Sequence, residues 1–288
     1  MSDEDKSPTV ETGYEWLNER IGHAIERLTS VRVSDPSAIL DDDRFFHPIH
    51  RTLSQDIAQC LLSALDHLRC LVLTLKTLDK PHPYAQATMI RTAITGAATA
   101  LWMASASTRD ERRCRAMEFM FNDLKSQLAW MKTTKTEPMH QQRPAAETAT
   151  FDAWEADIER RLDWIVQQAN SCLAPSIPFT RRTYGQRTTS DTDMVRAAGK
   201  LTTAIGTGGW DSELVLLNTW QMLSGYAHAR PWAAPLGSTL IVRDPTPDPT
   251  TGTVTVAVEG NPDRLLDFAF RAVIVAEVGV MTLEELAR

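Results

Sequence analysis

The sequence predicts an all-α fold: a helical bundle carrying one small β-hairpin just before its C-terminal helix. Three observations support this. Apolar residues recur every three or four positions over most of the chain. Breaks rich in proline or glycine separate those stretches. One late pair of short segments alternates in polarity as strands do. With 288 residues, of which 43% are hydrophobic, the chain is long enough to bury a large core.

Residues 1–10 read as a disordered tail, and 11–288 as a single helical-bundle domain with its hairpin near 238–259. The first helix sets Leu17, Ile21, Ala24 and Leu28 on one face. Val31–Pro48 reads as a loop, with a turn at Ser34-Asp35-Pro36 and an acidic run at Asp41-Asp42-Asp43. From Ile49 to Leu78 the spacing of Leu53, Ile57, Cys60, Ala64, Leu68, Leu71, Leu75 and Leu78 predicts a long amphipathic helix, which the prolines at 81 and 83 end.

The next helix, Tyr84–Ser107, is rich in small residues: Ala93, Gly96, Ala97, Ala98, Ala100 and Ala104. Glycine in a helix interior costs roughly 1 kcal/mol relative to alanine. Such a helix must recover that through close approach to its neighbours, which predicts a central position. Thr108-Arg109-Asp110-Glu111 reads as a capping box. The helix it opens runs to about Lys132 along a stripe of Cys114, Met117, Phe121, Leu124, Leu128 and Met131.

Thr133–Thr148 reads as a flexible connector. The helix after it carries Trp154, Ile158, Leu162, Ile165 and Ala169 and ends before Pro175. Arg181–Thr189 reads as a basic loop. A helix then starts at Ser190–Asp193, carries Met194, Ala198, Leu201 and Ile205, and breaks at Gly206-Thr207-Gly208-Gly209. Another spans Ser212–Ala229 with Leu216, Trp220, Leu223 and Ala227 inward. Leu240–Val242 and Thr253–Val258 form the hairpin, and Asn261 with Pro262 begins the last helix.

The formal charge of −7 makes the whole chain a poor non-specific nucleic-acid binder, so an RNA role would need a local basic patch. No apolar run looks long enough to span a membrane and the first residues are not signal-like, so a cytoplasmic protein is expected, with no membrane partner. Cys60, Cys70, Cys114 and Cys172 read as small buried apolar residues of a reducing compartment. The Gly-rich turn at 206–209 is followed by no lysine and preceded by no strand, so it reads as an inter-helix loop; no cofactor is expected. Asp41, Asp42, Asp43, His47 and His50 have ligand chemistry, but the acidic stretch reads as a solvated loop and no metal is expected.

Trp220 to Trp232 is the segment with most chemistry. It gathers Ser224, Tyr226, His228, Arg230 and Trp232 near a helix end. A histidine there has acid–base chemistry, and an arginine can stabilise a phosphate. Equally, cationic side chains in a last turn cap free carbonyls. Ser224-Gly225 suits tight packing. Arg91 stands out on the small-residue helix, because its charge needs a partner or water. Arg181, Arg182 and Arg187, with Tyr184 among them, are a second binding candidate for phosphate or RNA. Arg109, Arg112, Arg113 and Arg115 alternate with acids and read as a salt-bridged surface.

The succession Pro83-Tyr84-Ala85, Arg91-Thr92-Ala93, Ala100-Leu101-Trp102 and Leu223-Ser224-Gly225-Tyr226-Ala227-His228 resembles an uncharacterised all-helical actinobacterial family. More distantly it is similar to the HEPN superfamily of helical RNases and nucleotide-binding bundles. That resemblance implies a HEPN-like bundle. HEPN RNases carry an Arg-x4–6-His motif. Ahead of His228 the corresponding positions, Gln221 to Leu223, hold no arginine.

Two functions are therefore expected. The first is a non-catalytic helical binding or regulatory protein of a prophage or phage-defence locus, with RNA or another protein as partner and a homodimer as an alternative to a monomer. The second is a metal-independent RNase or defence toxin, with His228 as acid/base and Arg91 or Arg230 at the phosphate.

Overall fold

The computed structural model describes residues 10–78, 81–204 and 212–288. In chain order the elements are α1 (Val10–Ser30), α2 (Ala38–Phe46), a 3-10 turn (His47–Ile49), α3 (Leu53–Thr77), α4 (Pro83–Ala104) and α5 (Arg109–Lys135). Then come the one-turn α6 (Pro138–Gln141), α7 (Ala145–Leu173), α8 (Arg181–Arg187), α9 (Asp191–Ala204) and α10 (Ser212–Ala227). The chain closes with a short α11 (Ala234–Gly237), strands β1 (Ser238–Asp244) and β2 (Thr255–Gly260), and α12 (Pro262–Ala287). This is an all-α fold with one antiparallel hairpin. The tail expected at 1–10, Ile205 and the glycine turn at 206–209 lie outside the described residues, apart from the backbone of Val10.

Two compact units emerge, each discontinuous in sequence. The first combines the described residues up to 37 with 54–104 and 191–288; the second combines 38–53 with 105–190.

In the first unit α4 is the centre, packed by α9, α10 and α12. Its small residues are what permit this. Ala93, Ala97, Ala98 and Ala100 are fully buried. A Cβ on Gly96 would stand 2.8 Å from the Cys60 carbonyl oxygen of α3, closer than real contacts allow. A Cβ on Gly279 of α12 would come within 2.7 Å of Leu61. Close approach to the α3 backbone accounts for Gly96, and room for the Leu61 side chain for Gly279, which offsets their poor helix propensity.

The first and last helices of the chain run parallel. Tyr14 donates to the Pro262 carbonyl, Trp16 packs on Phe270, and Arg20 and Arg27 pair with Glu277 and Glu284 one heptad apart on both helices. Burial, reinforced by Asp263, raises the Tyr14 hydroxyl to about 12. The α1 stripe of Leu17, Ile21, Ala24 and Leu28 is buried as its spacing predicts.

By length and composition α3 meets the requirement for crossing a membrane, where the run-by-run sequence reading found no such stretch. Its buried stripe of Ile57, Leu61, Ala64, Leu68 and Leu71 is interleaved with Gln59, Asp66 and Arg69, so no uninterrupted apolar run shows.

The hairpin pairs Leu240 with Val258 and Val242 with Val256, and bulges between Val242 and Asp244. Its base is seated on the entry to α4, where the Gly260 amide donates to the Pro81 carbonyl at 3.2 Å. Asn261 caps α12 by accepting from the Arg264 amide at 3.0 Å.

In the second unit α5 and α7 pack side by side, and α2, α6 and α8 lean on them. Three stretches depart from the sequence reading. The expected loop at Val31–Pro48 contains α2, whose Asp42 is fully buried. It accepts from Arg112 Nε at 2.5 Å and Arg113 Nε at 2.8 Å. Arg112 is therefore a core residue, not a surface one, since its charge and that of Asp42 can be buried only together. The expected connector Thr133–Thr148 is largely helical: α5 continues to Lys135, α6 follows, and α7 starts at Ala145. The expected basic loop is α8, opened by a capping box between Thr180 and Thr183.

The cap of α5 also differs in detail. Thr108 accepts from the Glu111 amide as predicted, while the Glu111 carboxylate accepts from Ser107, one residue before the cap. Cys70 and Cys172 are exposed rather than buried. Trp154 is 44% exposed beside the 55% exposed Trp130, so α7 begins with its aromatic partly in water.

Candidate functional site

Arg91 of α4 and Ser224 of α10 meet where these helices pack. Arg91 Nε donates to Ser224 Oγ at 2.9 Å, and Ser224 Oγ donates to the Trp220 carbonyl at 2.7 Å. Trp220 Nε1 in turn donates to Thr95 Oγ1 at 2.9 Å, which donates to the Arg91 carbonyl at 3.0 Å. Arg91 and Thr95 are one turn apart on α4, as Trp220 and Ser224 are on α10, so four hydrogen bonds close a circuit between the helices. The guanidinium carbon of Arg91 lies 5.3 Å from the Trp220 ring centre, within cation–π range.

The charge of Arg91 is thus positioned, and among the described residues no carboxylate pairs with it. Among the described residues its two terminal nitrogens have no hydrogen-bond partner, and neither is sealed from solvent. A guanidinium anchored through Nε and stacked on an aromatic face keeps a planar, two-donor edge, which suits a bidentate oxyanion. Ser224 is a strut: its proton is spent on its own helix and its oxygen on Arg91.

His228 and Arg230 occupy the helix terminus. α10 ends in a Schellman motif: the Arg230 amide reaches back to the Gly225 carbonyl at 2.8 Å, and the Ala229 amide to Tyr226 at 3.0 Å. Ala229 adopts the left-handed conformation at φ 51°. Both side chains are exposed on this turn. His228 stands one helical turn beyond Ser224, while the partners of Arg91 are Ser224 and Trp220.

Tyr226 faces the other way, into the protein. It is buried, packs edge-on against Tyr84 at 5.6 Å, and its hydroxyl meets Ser238 Oγ at 2.7 Å and the Ala234 carbonyl at 3.2 Å. Burial holds its hydroxyl above the usual tyrosine value. Tyr226 ties α10 to the start of the hairpin. Trp232, though half exposed, lies over Gly225, where a Cβ would come within 2.9 Å of its ring. The Ser224-Gly225 step thus does pack tightly, against Ala233 and Trp232.

The second candidate group lies in the second unit, where Arg181 and Arg182 line one groove and Arg187 does not. Arg181 bonds Asp163 at 2.5 Å and the Glu159 carbonyl at 2.8 Å; the bond lowers the Asp163 carboxyl and raises Arg181. Arg182 is exposed, and Arg187 lies over the Phe179 ring at 5.1 Å. Tyr184, between them, is buried against Phe121 and Phe179.

In the acidic run of α2, Asp42 and Asp43 are buried while Asp41 is exposed; among the described residues no group of three or more His, Cys, Asp or Glu side chains is gathered to hold a metal. Sequence reasoning missed Thr95 and Trp220 as partners of Arg91. The i, i+4 spacing of Arg91 with Thr95 and of Trp220 with Ser224 was the available signal. It also missed Arg112 as a buried cation, although Arg112 continues the Ala116, Met120 and Leu124 stripe.

No protein-family model, curated protein or solved structure matches the chain.

Proposed function

We propose that this protein is a non-catalytic helical binding protein of a regulatory kind that recognises an oxyanion through Arg91. The observation that carries this reading is the guanidinium anchored on Ser224 and Trp220 with its terminal nitrogens unpartnered among the described residues. Preorganisation of this sort lowers the ordering cost of binding. The neighbouring groups serve structure: Ser224 Oγ is doubly engaged, Tyr226 is a buried tether, and His228 belongs to a helix-terminating turn.

One observation favours the alternative, a HEPN-like RNase. His228 is exposed in the turn that ends α10, four residues after Ser224, the anchor of Arg91. A base there and a guanidinium nearby are the two groups that phosphodiester cleavage by a 2′-hydroxyl needs.

A single experiment separates the readings. A mixed-sequence, end-labelled RNA is incubated with the protein in EDTA, with binding read by fluorescence anisotropy and cleavage on a gel. Binding that weakens in Arg91→Ala, is competed by inorganic phosphate and leaves the RNA intact supports the binding protein. Cleavage that disappears in folded His228→Ala makes the protein a nuclease. Neither binding nor cleavage removes RNA as the source of the oxyanion, leaving a carboxylate on a protein partner as the form in which the reading survives.

A further inference from the structure

We propose that the groove of the second unit between α5, α7 and α8 binds a small amphipathic carboxylate, an apolar body bearing one anionic head. This site is independent of Arg91 and stands or falls separately.

The groove has a volume of about 420 Å³, a size typical of small-molecule sites. Phe121 and Leu128 of α5 and Leu162 of α7 form its floor, while Lys125, Arg181 and Arg182 edge it. Among the described residues no carboxylate lines it. Gly185 brings the backbone of α8 against that floor: a Cβ there would lie 3.1 Å from the Phe121 ring and 3.7 Å from Lys125 Nζ. A larger residue would narrow the space between ring and ammonium group.

The three cations are not equivalent. Arg181 is spent on Asp163 and on the Glu159 carbonyl. Lys125 and Arg182 are exposed and have neither a hydrogen bond nor an ion pair among the described residues. Two open cations beside an apolar floor match one charged head and one apolar tail. A nucleic-acid strand asks for a longer basic track, with phosphate contacts repeated along it.

The walls are already in place. Asn170 of α7 clamps the Phe179 backbone from both sides, accepting from its amide at 2.6 Å and donating to its carbonyl at 3.1 Å. Tyr184 anchors α8 edge-on against Phe121 at 5.1 Å. Beyond α8, the Thr189 amide and hydroxyl both donate to Glu118 at 2.8 Å. A ligand therefore meets a formed site and orders little on entry.

The test is calorimetric titration of the full chain with dodecanoate below its micelle-forming concentration, beside dodecanol and acetate. Saturable binding of dodecanoate, with dodecanol weaker by about tenfold and acetate silent, is the expected result. In the double variant Lys125→Ser/Arg182→Ser, both changes being at exposed positions, dodecanoate should weaken by roughly tenfold or more. The reversal Lys125→Glu/Arg182→Glu should instead take dodecyltrimethylammonium, a gain that a misfolded variant cannot produce. No saturable binding to the parent chain, or equal dodecanoate affinity in the parent and the serine variant, overturns the proposal.

Discussion

Arg91 Nε and Ser224 Oγ lie 2.9 Å apart across the packing of α4 against α10. This bond belongs to a closed circuit with Thr95 and Trp220. Coupling is therefore expected. In a double-mutant cycle of Arg91→Ala and Ser224→Ala, chemical denaturation should yield an interaction energy of about 1 kcal/mol, a charge-assisted hydrogen bond discounted for partial exposure. Strict additivity would show that the contact contributes nothing.

The turn after α10 stores a small strain. Ala229 holds a left-handed backbone at φ 51°, which costs a residue with a Cβ roughly 1 kcal/mol that glycine avoids. Ala229→Gly should raise stability by about that amount. An unchanged or lower melting temperature would contradict the capping account of this turn, and with it the structural reading of His228.

At Gly96 two effects oppose each other. Alanine should improve helix propensity by about 1 kcal/mol, yet its Cβ would stand 2.8 Å from the backbone carbonyl of Cys60. A backbone atom cannot swing aside, and overpacking typically costs about 1–3 kcal/mol. Gly96→Ala should therefore destabilise the first unit, as read by denaturant unfolding; a stabilised variant would disprove the close approach of α3 and α4.

Asp42 is a fully buried carboxylate of the second unit, held by Arg112 and Arg113. Asp42→Asn keeps the shape and leaves two cations short of their counter-charge, which should cost on the order of 3 kcal/mol. The loss should register in hydrogen exchange of the α5 amides. Protection equal to that of the parent chain would place this pair at the surface.

Glu284 makes stability depend on pH. Its bond to Arg27 holds its carboxyl below the ordinary value of 4.5. A carboxylate with a depressed folded-state pKa stabilises at higher pH, and the contribution fades as pH falls through that folded value. Since Arg27 is 45% exposed, the effect should be only about 0.5–1 kcal/mol. Parent and Glu284→Gln should differ in melting temperature at pH 7 and converge well below pH 4.5. A gap that persists in acid would assign the difference to packing.

Much of the helical framework is legible in the sequence because local physics writes it there. The stripe of Leu17, Ile21, Ala24 and Leu28 follows from a helical period of 3.6 residues, and Asn261-Pro262 marks the start of α12 because capping needs only neighbouring atoms. The central place of α4 was readable too, since a helix of alanine and glycine gains stability only by close packing.

Where the sequence misled, the deciding partner lay far along the chain. Asp42 looked like part of a solvated acidic run; a pair of arginines some seventy residues later, Arg112 and Arg113, draws it into the core. Residues 181–187 looked like a basic loop, and become a helix once Tyr184 inserts beside Phe121 and Asn170 fixes Phe179. The same holds for the candidate site. The residue types around Trp220–Trp232 were visible at once, whereas the assignment of Arg91 to Ser224 and Trp220, rather than to His228, is a tertiary fact. Periodicity and capping are short-range and can be read from the chain alone; which buried charge meets which is long-range, and only the folded protein decides it.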